Sequence, residues 1–126
     1  MSGHGDVLIV DDDPGALEAF EYMLRREGYV VRAASDAAAA LTEVGRALPA
    51  AIVLDLHLRT SDGVTVLRQL RATPANAGIP VAVVTGDYLV DERVIRELEE
   101  LGVRLYFKPL WEEDMLRIVR HLLPSA

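Results

Sequence analysis

The run Val7-Leu8-Ile9-Val10-Asp11-Asp12-Asp13-Pro14 sets the architecture: four apolar residues, then three acids and a proline. A short apolar run without alternation reads as a strand buried on both faces, and such strands belong to parallel sheets. The polar break starts a helix, with Asp13 as its cap and Pro14 in its first turn. The helix extends to about Glu27, carries Leu17, Phe20 and Leu24 on one side, and stops at Gly28. The unit is strand, acidic turn, helix.

Outward from there the unit repeats. Tyr29–Ala33 is a second strand, and Ser35 or Asp36 caps an Ala-rich helix ending near Ala47. Ala51–Asp55 is a third strand, followed by a loop over Leu56–Gly63 and a helix over Val64–Ala72, whose apolar side is Val64, Val66, Leu67 and Leu70. After the loop Thr73–Pro80, Val81–Thr85 is a fourth strand and Leu89–Leu101 a helix ended by Gly102. Val103–Phe107 and Glu112–Leu123 complete the set, with Trp111 expected to pack over the start of the last helix. Strands one, three and four lack alternation. Five strands alternating with five helices predict an α/β fold, a doubly wound parallel sheet with right-handed crossovers.

A chain of 126 residues is expected to form one domain over 1–126. It is 51% hydrophobic and 26% charged, a globular balance, and it has no Cys for disulfides or thiolate metal sites. The net charge of −7, with arginines scattered and never in a block, argues against direct nucleic-acid binding. No apolar run reaches membrane-span length, and Met1–Gly5 has no basic leader, so a cytoplasmic protein with no membrane partner is expected. Among the 13 cations Lys108 is the one Lys, placed where the fifth strand ends. Lys is a compact point charge on a flexible stem, whereas Arg is a wide planar fork.

In a parallel sheet, function collects beyond the carboxyl ends of the strands. Those ends carry Asp11, Asp12 and Asp13, then Asp55, Thr85 and Lys108. Singly each is an ordinary turn or cap residue. Together they form one charged rim. Two carboxylates about 4 Å apart repel by about 4 kcal/mol at an effective dielectric near 20. Either a carboxylate takes up a proton or the rim binds a hard cation. Few oxygen ligands beside water suit Mg²⁺ better than an all-protein Ca²⁺ cage. A cation, a carboxylate nucleophile and a Lys are the equipment for phosphoryl transfer.

The sequence resembles the receiver domain of bacterial two-component response regulators over essentially its whole length. The resemblance rests on Asp11-Asp12, Asp55 with Asp62-Gly63 behind it, Thr85, and Lys108-Pro109, with Gly63 eight and Thr85 thirty residues after Asp55. It implies a flavodoxin-like sheet of order 2-1-3-4-5. It also implies that Asp55 accepts the phosphoryl group, and that Mg²⁺ or Mn²⁺ is held by Asp12, Asp55 and the His57 backbone carbonyl, with Asp11 acting through water. Lys108 would pair with Asp55 before reaction and with phosphoryl oxygens after it; Thr85 would swing in to bond them. The Lys108–Pro109 bond is expected to be cis. The implied donor is a histidine kinase or histidine phosphotransferase, docking beside Gly15, Ala19 and Tyr22 on the outer face of the first helix. The implied output is a downstream partner or a covalently linked domain, and no effector domain is expected within this chain. The domain would catalyse only its own phosphorylation and dephosphorylation.

The switch needs several contacts. Moving an equilibrium from 1:99 to 99:1 takes about 5.5 kcal/mol, and one charge-assisted bond from Thr85 supplies roughly 1.5–3 kcal/mol. Two positions depart from the family pattern, and two more bear on phosphate lifetime. Arg59 replaces the usual Pro. Leu105 stands where an aromatic normally turns inward, and its neighbours Tyr106 and Phe107 point to opposite sides, so the aromatic half of the switch is expected to be absent or remodelled. Tyr106 leaving solvent for a buried site in a phosphomimic-bound form would contradict this. His57 and Asp87, two residues beyond Asp55 and Thr85, occupy positions that tune phosphate lifetime in the family. A phosphohydrolase of the haloacid dehalogenase type would need a second Asp where this chain has His57. A nucleotide-binding domain would need a Gly-rich loop where three acids stand.

Overall fold

Strands and helices alternate without exception along residues 5–58, 61–108 and 110–123, which a computed structural model describes. The strands are β1 (Asp6–Val10), β2 (Val30–Ala34), β3 (Ala51–Asp55), β4 (Val81–Thr85) and β5 (Arg104–Phe107). All pair in parallel, in the order β2-β1-β3-β4-β5 that the sequence led us to expect. The helices are α1 (Pro14–Arg26), α2 (Ala37–Arg46), α3 (Gly63–Ala72), α4 (Glu92–Glu100) and α5 (Glu112–Leu122).

Successive residues of a strand point to opposite faces, and this splits the apolar runs between two cores. Leu8, Val10, Ile52, Leu54 and Val83 face α2, α3 and α4, where Ala40, Val44, Leu67, Leu70 and Leu98 meet them. Val7, Ile9, Val53 and Val84 face the other way, against Phe20 and Leu24 of α1 and Met115 and Val119 of α5. Each fully buried aliphatic side chain contributes roughly 1.5–3 kcal/mol over its exposed state. Rigidity at the middle of the sheet follows, and the rim residues stand on it.

Side-chain caps fix where the helices begin. Asp13 accepts the Gly15 N–H at 3.1 Å, Asp36 (not Ser35) the Ala39 N–H at 2.7 Å, and Asp62 the Thr65 N–H at 2.8 Å. β2 and β5 each begin one residue later than the sequence suggests. Gly28 and Gly102 have φ of 91° and 77°, and the N–H of Tyr29 and of Val103 bonds back to Leu24 and Leu98, each at about 3.0–3.1 Å. Both residues therefore complete the preceding helix in a Schellman turn.

α4 starts at Glu92, three residues after the expected Leu89. Asp87 and Asp91 accept the N–H groups of Leu89 and Arg93 at 2.8 Å each, and these turns replace the first helical turn. Leu89 is 91% exposed as a result. Trp111 does not pack over α5 as expected: its side chain is 70% exposed, and its backbone makes the cap, the N–H donating to Asp114 at 2.8 Å and the carbonyl accepting the Met115 N–H at 3.0 Å.

Two arginines of α3 bind the neighbouring elements. Arg68 pairs through two guanidinium nitrogens with Glu97 of α4. Arg71 donates to the carbonyls of Leu101, Ala77 and Ile79 at 3.1, 3.1 and 2.8 Å. Arg59 and the geometry of the Lys108–Pro109 bond lie outside the described residues.

Candidate functional site

The register places Val10 beside Leu54, so the residues that follow, Asp11 and Asp55, leave the sheet at the same level. Asp11 is 1% exposed and Asp55 6%. Asp11 Oδ1 accepts the Asp13 N–H at 2.9 Å, and Asp11 Oδ2 takes the Lys108 ammonium at 2.8 Å. Asp55 Oδ1 accepts the His57 N–H at 3.0 Å, and its Oδ2 lies 3.2 Å from the same ammonium. Asp12 is half-buried and forms no hydrogen bond or ion pair with another described residue. One oxygen from each of Asp11, Asp12 and Asp55 lies within 4.8 Å of the others. Asp13 stands apart from them as the α1 cap.

Burial pushes the Asp55 carboxyl above its ordinary value, against the His57 N–H and the Lys108 charge; the Asp11 charge adds to the rise. Burial alone would lower Lys108, but its bonds to Asp11 and Asp55 outweigh this and leave the ammonium raised. A buried carboxylate pair with one shared cation retains surplus negative charge. All-oxygen donors suit a hard divalent cation such as Mg²⁺, and the open Asp12 carboxylate completes a set that fits one.

Close approach explains Gly63. A Cβ there would sit 2.6 Å from the Asp55 carbonyl oxygen and 3.0 Å from Leu56 Cα. The Gly63 N–H donates to the Leu56 carbonyl at 2.7 Å, which folds the loop tightly under the phosphoacceptor candidate.

Thr85 is fully buried, its hydroxyl accepting the Asp87 N–H at 3.0 Å and its carbonyl the Lys108 N–H at 2.7 Å. His57 and Asp87, singled out as a pair of loop positions, are joined: His57 Nε2 lies 3.3 Å from Asp87 Oδ2, with both side chains partly in solvent. The exposed Tyr88, unremarked in the sequence, stacks on Phe107 (centroids 5.4 Å apart, planes 14°) and donates its hydroxyl to the Lys108 carbonyl. Its sequence signal is slight, an aromatic residue three after Thr85 in a polar loop.

Leu105 packs against the α4 side of the sheet, partly buried. Tyr106, which the sequence reading placed in solvent, is already half-buried against the α5 side, and Phe107 is the exposed neighbour at 40%. Gly15, Ala19 and Tyr22 are exposed on α1 and line one groove, with the Arg26 guanidinium 5.6 Å from the Tyr22 ring centre.

The family model of the response regulator receiver domain matches residues 7–120. The chain belongs to this family. The receiver domain is 42% identical over 117 residues to the transcriptional regulatory protein PrrA of Mycobacterium leprae, covering 93% of this chain and 49% of that protein. It thus spans about half the length of the curated relatives it matches. Among solved structures, the signal receiver domain of a signal transduction histidine kinase from Syntrophus aciditrophicus is 28% identical with a TM-score of 0.83, over 94% of this chain and 89% of that one. The chemotaxis protein CheY4 of Vibrio cholerae shares the fold, with a TM-score of 0.84 at 23% identity over 94% and 98% of the two chains. The receiver domain is a phosphoacceptor signalling module of two-component systems. Among the described residues no helix is long and apolar enough to cross a membrane.

Proposed function

We propose that Asp55 is the phosphoacceptor of this receiver domain, with Lys108, Thr85 and a divalent cation as its working partners. The observation that carries this reading is the ammonium of Lys108 shared between Asp11 at 2.8 Å and Asp55 at 3.2 Å, beside the open carboxylate of Asp12. Asp12, Asp55 and the His57 carbonyl would hold Mg²⁺ or Mn²⁺, and Asp11, with both oxygens engaged by Asp13 and Lys108, would act through water. When bound, the cation supplies charge neutralisation for the phosphoryl oxygens.

An Asp55 carboxylate oxygen forms a bond to phosphorus as the donor's P–N bond breaks, and the leaving imidazole recovers a proton from solvent. Lys108 needs little movement to follow the phosphoryl oxygens, because its ammonium already spans the two carboxylates. The Thr85 hydroxyl, whose O–H would donate to a phosphoryl oxygen, also accepts the Asp87 N–H, and this shared oxygen couples the phosphoryl group to the 86–90 loop. Hydrolysis returns Asp55 when water attacks phosphorus, with His57 and Asp87 setting access.

The donor is a histidine kinase or histidine phosphotransferase docking on the groove of Gly15, Ala19 and Tyr22, whose end at Gly15 adjoins the acidic turn. The domain acts in the cytoplasm as one unit over 1–126, catalyses only its own phosphorylation and dephosphorylation, and passes its state to a downstream partner or a linked output domain.

Acetyl phosphate with Mg²⁺ is the test. Stoichiometric, base-labile label on wild type and none on Asp55→Asn is the expected result. Equal labelling of both proteins, or no label on wild type, sinks the assignment.

A further inference from the structure

We propose that Tyr88 is a positioning residue for phosphoryl transfer, holding the main chain of Lys108 so that its ammonium reaches Asp55; this rests on the phosphoacceptor reading above. The need arises from the sheet. β5 ends at Phe107, so Lys108 lies beyond the last register pair, Thr85 with Phe107. A lysine stem has four rotatable bonds, and the place of its ammonium depends on the place of its peptide.

Among the described residues, two groups hold that peptide. The Thr85 carbonyl takes its N–H at 2.7 Å, and the Tyr88 hydroxyl donates to its carbonyl. Without Tyr88 that carbonyl has no partner among the described residues, and one side of the lysine anchor is lost. A hydroxyl on an exposed ring would ordinarily bond water equally well. Here the ring is fixed, stacked on Phe107 at 5.4 Å and 14°, so the hydroxyl arrives oriented. The register produces the stack: Phe107 lies beside Thr85, and the turn that Asp87 makes by accepting the Leu89 N–H brings residue 88 over it. Lys108 is thus gripped at three points: its ammonium by Asp11 and Asp55, its N–H by Thr85 and its carbonyl by Tyr88.

The test uses the full chain, acetyl phosphate and Mg²⁺. Tyr88→Phe keeps the ring and removes only the hydroxyl. Its maximal labelling rate is expected to fall roughly threefold to tenfold, the share of one neutral hydrogen bond. The half-saturating concentrations of acetyl phosphate and Mg²⁺ and the thermal midpoint should stay at wild-type values, which a merely structural role would not produce. Phe107→Leu, which removes the stacking ring, should slow the reaction by no more than this and add nothing when combined with Tyr88→Phe. A Tyr88→Phe rate within about 1.5-fold of wild type, a loss confined to the half-saturating concentrations, or fully additive losses in the double variant would overturn the proposal. Failure of wild type to label sinks the phosphoacceptor reading itself; normal wild-type labelling with an unaffected Tyr88→Phe sinks only the role of Tyr88.

Discussion

Lys108 and Asp11, 97 residues apart in the chain, are joined by a 2.8 Å ion pair, and Asp55 takes the longer contact of the same ammonium at 3.2 Å. The lysine is therefore a tie between the ends of β1, β3 and β5, and not a private partner of Asp55. Removing it strands two buried carboxylates.

Lys108→Ala should cost about 3 kcal/mol in chelator, the low end for breaking a buried pair, because its side chain is about a quarter exposed. Saturating Mg²⁺ should restore most of the loss by neutralising the same carboxylates. Urea denaturation with and without Mg²⁺ checks this. Equal losses in both conditions would show that the lysine stabilises the fold by some other route.

Asp55 should make the metal-free protein less stable as pH rises. Burial lifts its folded pKa above the ordinary value of 3.8, so between 3.8 and that higher value the native chain binds more protons than the unfolded one. Unfolding free energy falls through this window and stays lower above it. Asp55→Asn removes the effect, and its advantage over wild type should grow from below pH 4 and then level off. For Lys108 the sign is the same and the range alkaline: its contribution is complete below 10.5 and lost as pH rises through its raised folded value. Denaturation in EDTA across these ranges measures both. A difference between Asp55→Asn and wild type that is flat with pH refutes the first.

Gly63→Ala should damage the fold and the site together. The added methyl meets backbone at 2.6 and 3.0 Å, which cannot rotate away as a side chain could. Overpacking of this kind costs roughly 1–3 kcal/mol. Urea midpoints should fall accordingly, and acetyl phosphate labelling should slow because the displaced atoms belong to Asp55 and Leu56. Wild-type stability in Gly63→Ala would mean that the loop yields freely.

The His57–Asp87 pair should lengthen the life of the acyl phosphate by bridging two loops in front of it. Exposed pairs of this kind are worth at most about 1 kcal/mol, so His57→Ala or Asp87→Ala should speed phosphate loss by up to about fivefold. Following the decay of labelled protein settles it. Unchanged lifetimes in both variants reject a tuning role.

How much of this was legible in the sequence depends on which force decides each feature. Asp11, Asp55 and Thr85 each end an apolar run, so hydrophobic patterning alone places them on one rim. The start of α4 is not legible because Leu89 and Val90 continue its apolar stripe, while the competing turns come from the carboxylates of Asp87 and Asp91. The sequence pattern begins strands β2 and β5 one residue early because Tyr29 and Val103 suit a strand but bond back into a helix. Trp111 was assigned to packing on its chemistry, and chemistry does not report which side of a cap a ring occupies. Tyr88 could not be found without the strand register that sets Phe107 beside Thr85. The sharing of Lys108 with Asp11 turns on tenths of an ångström, which no motif encodes.

Arg71, with its guanidinium spread over the carbonyls of Leu101, Ala77 and Ile79, and Arg68, clasped to Glu97, have a mechanical consequence. They weld α3, the 73–80 connection and the far end of α4 into one stiff block. Among the described residues no arginine clasps the segment 86–90, which joins that block to the anchored end of β4. Displacement that begins at Thr85 is thereby funnelled into five residues, and the lever arm it moves is the amino-terminal end of α4, not the helix as a whole.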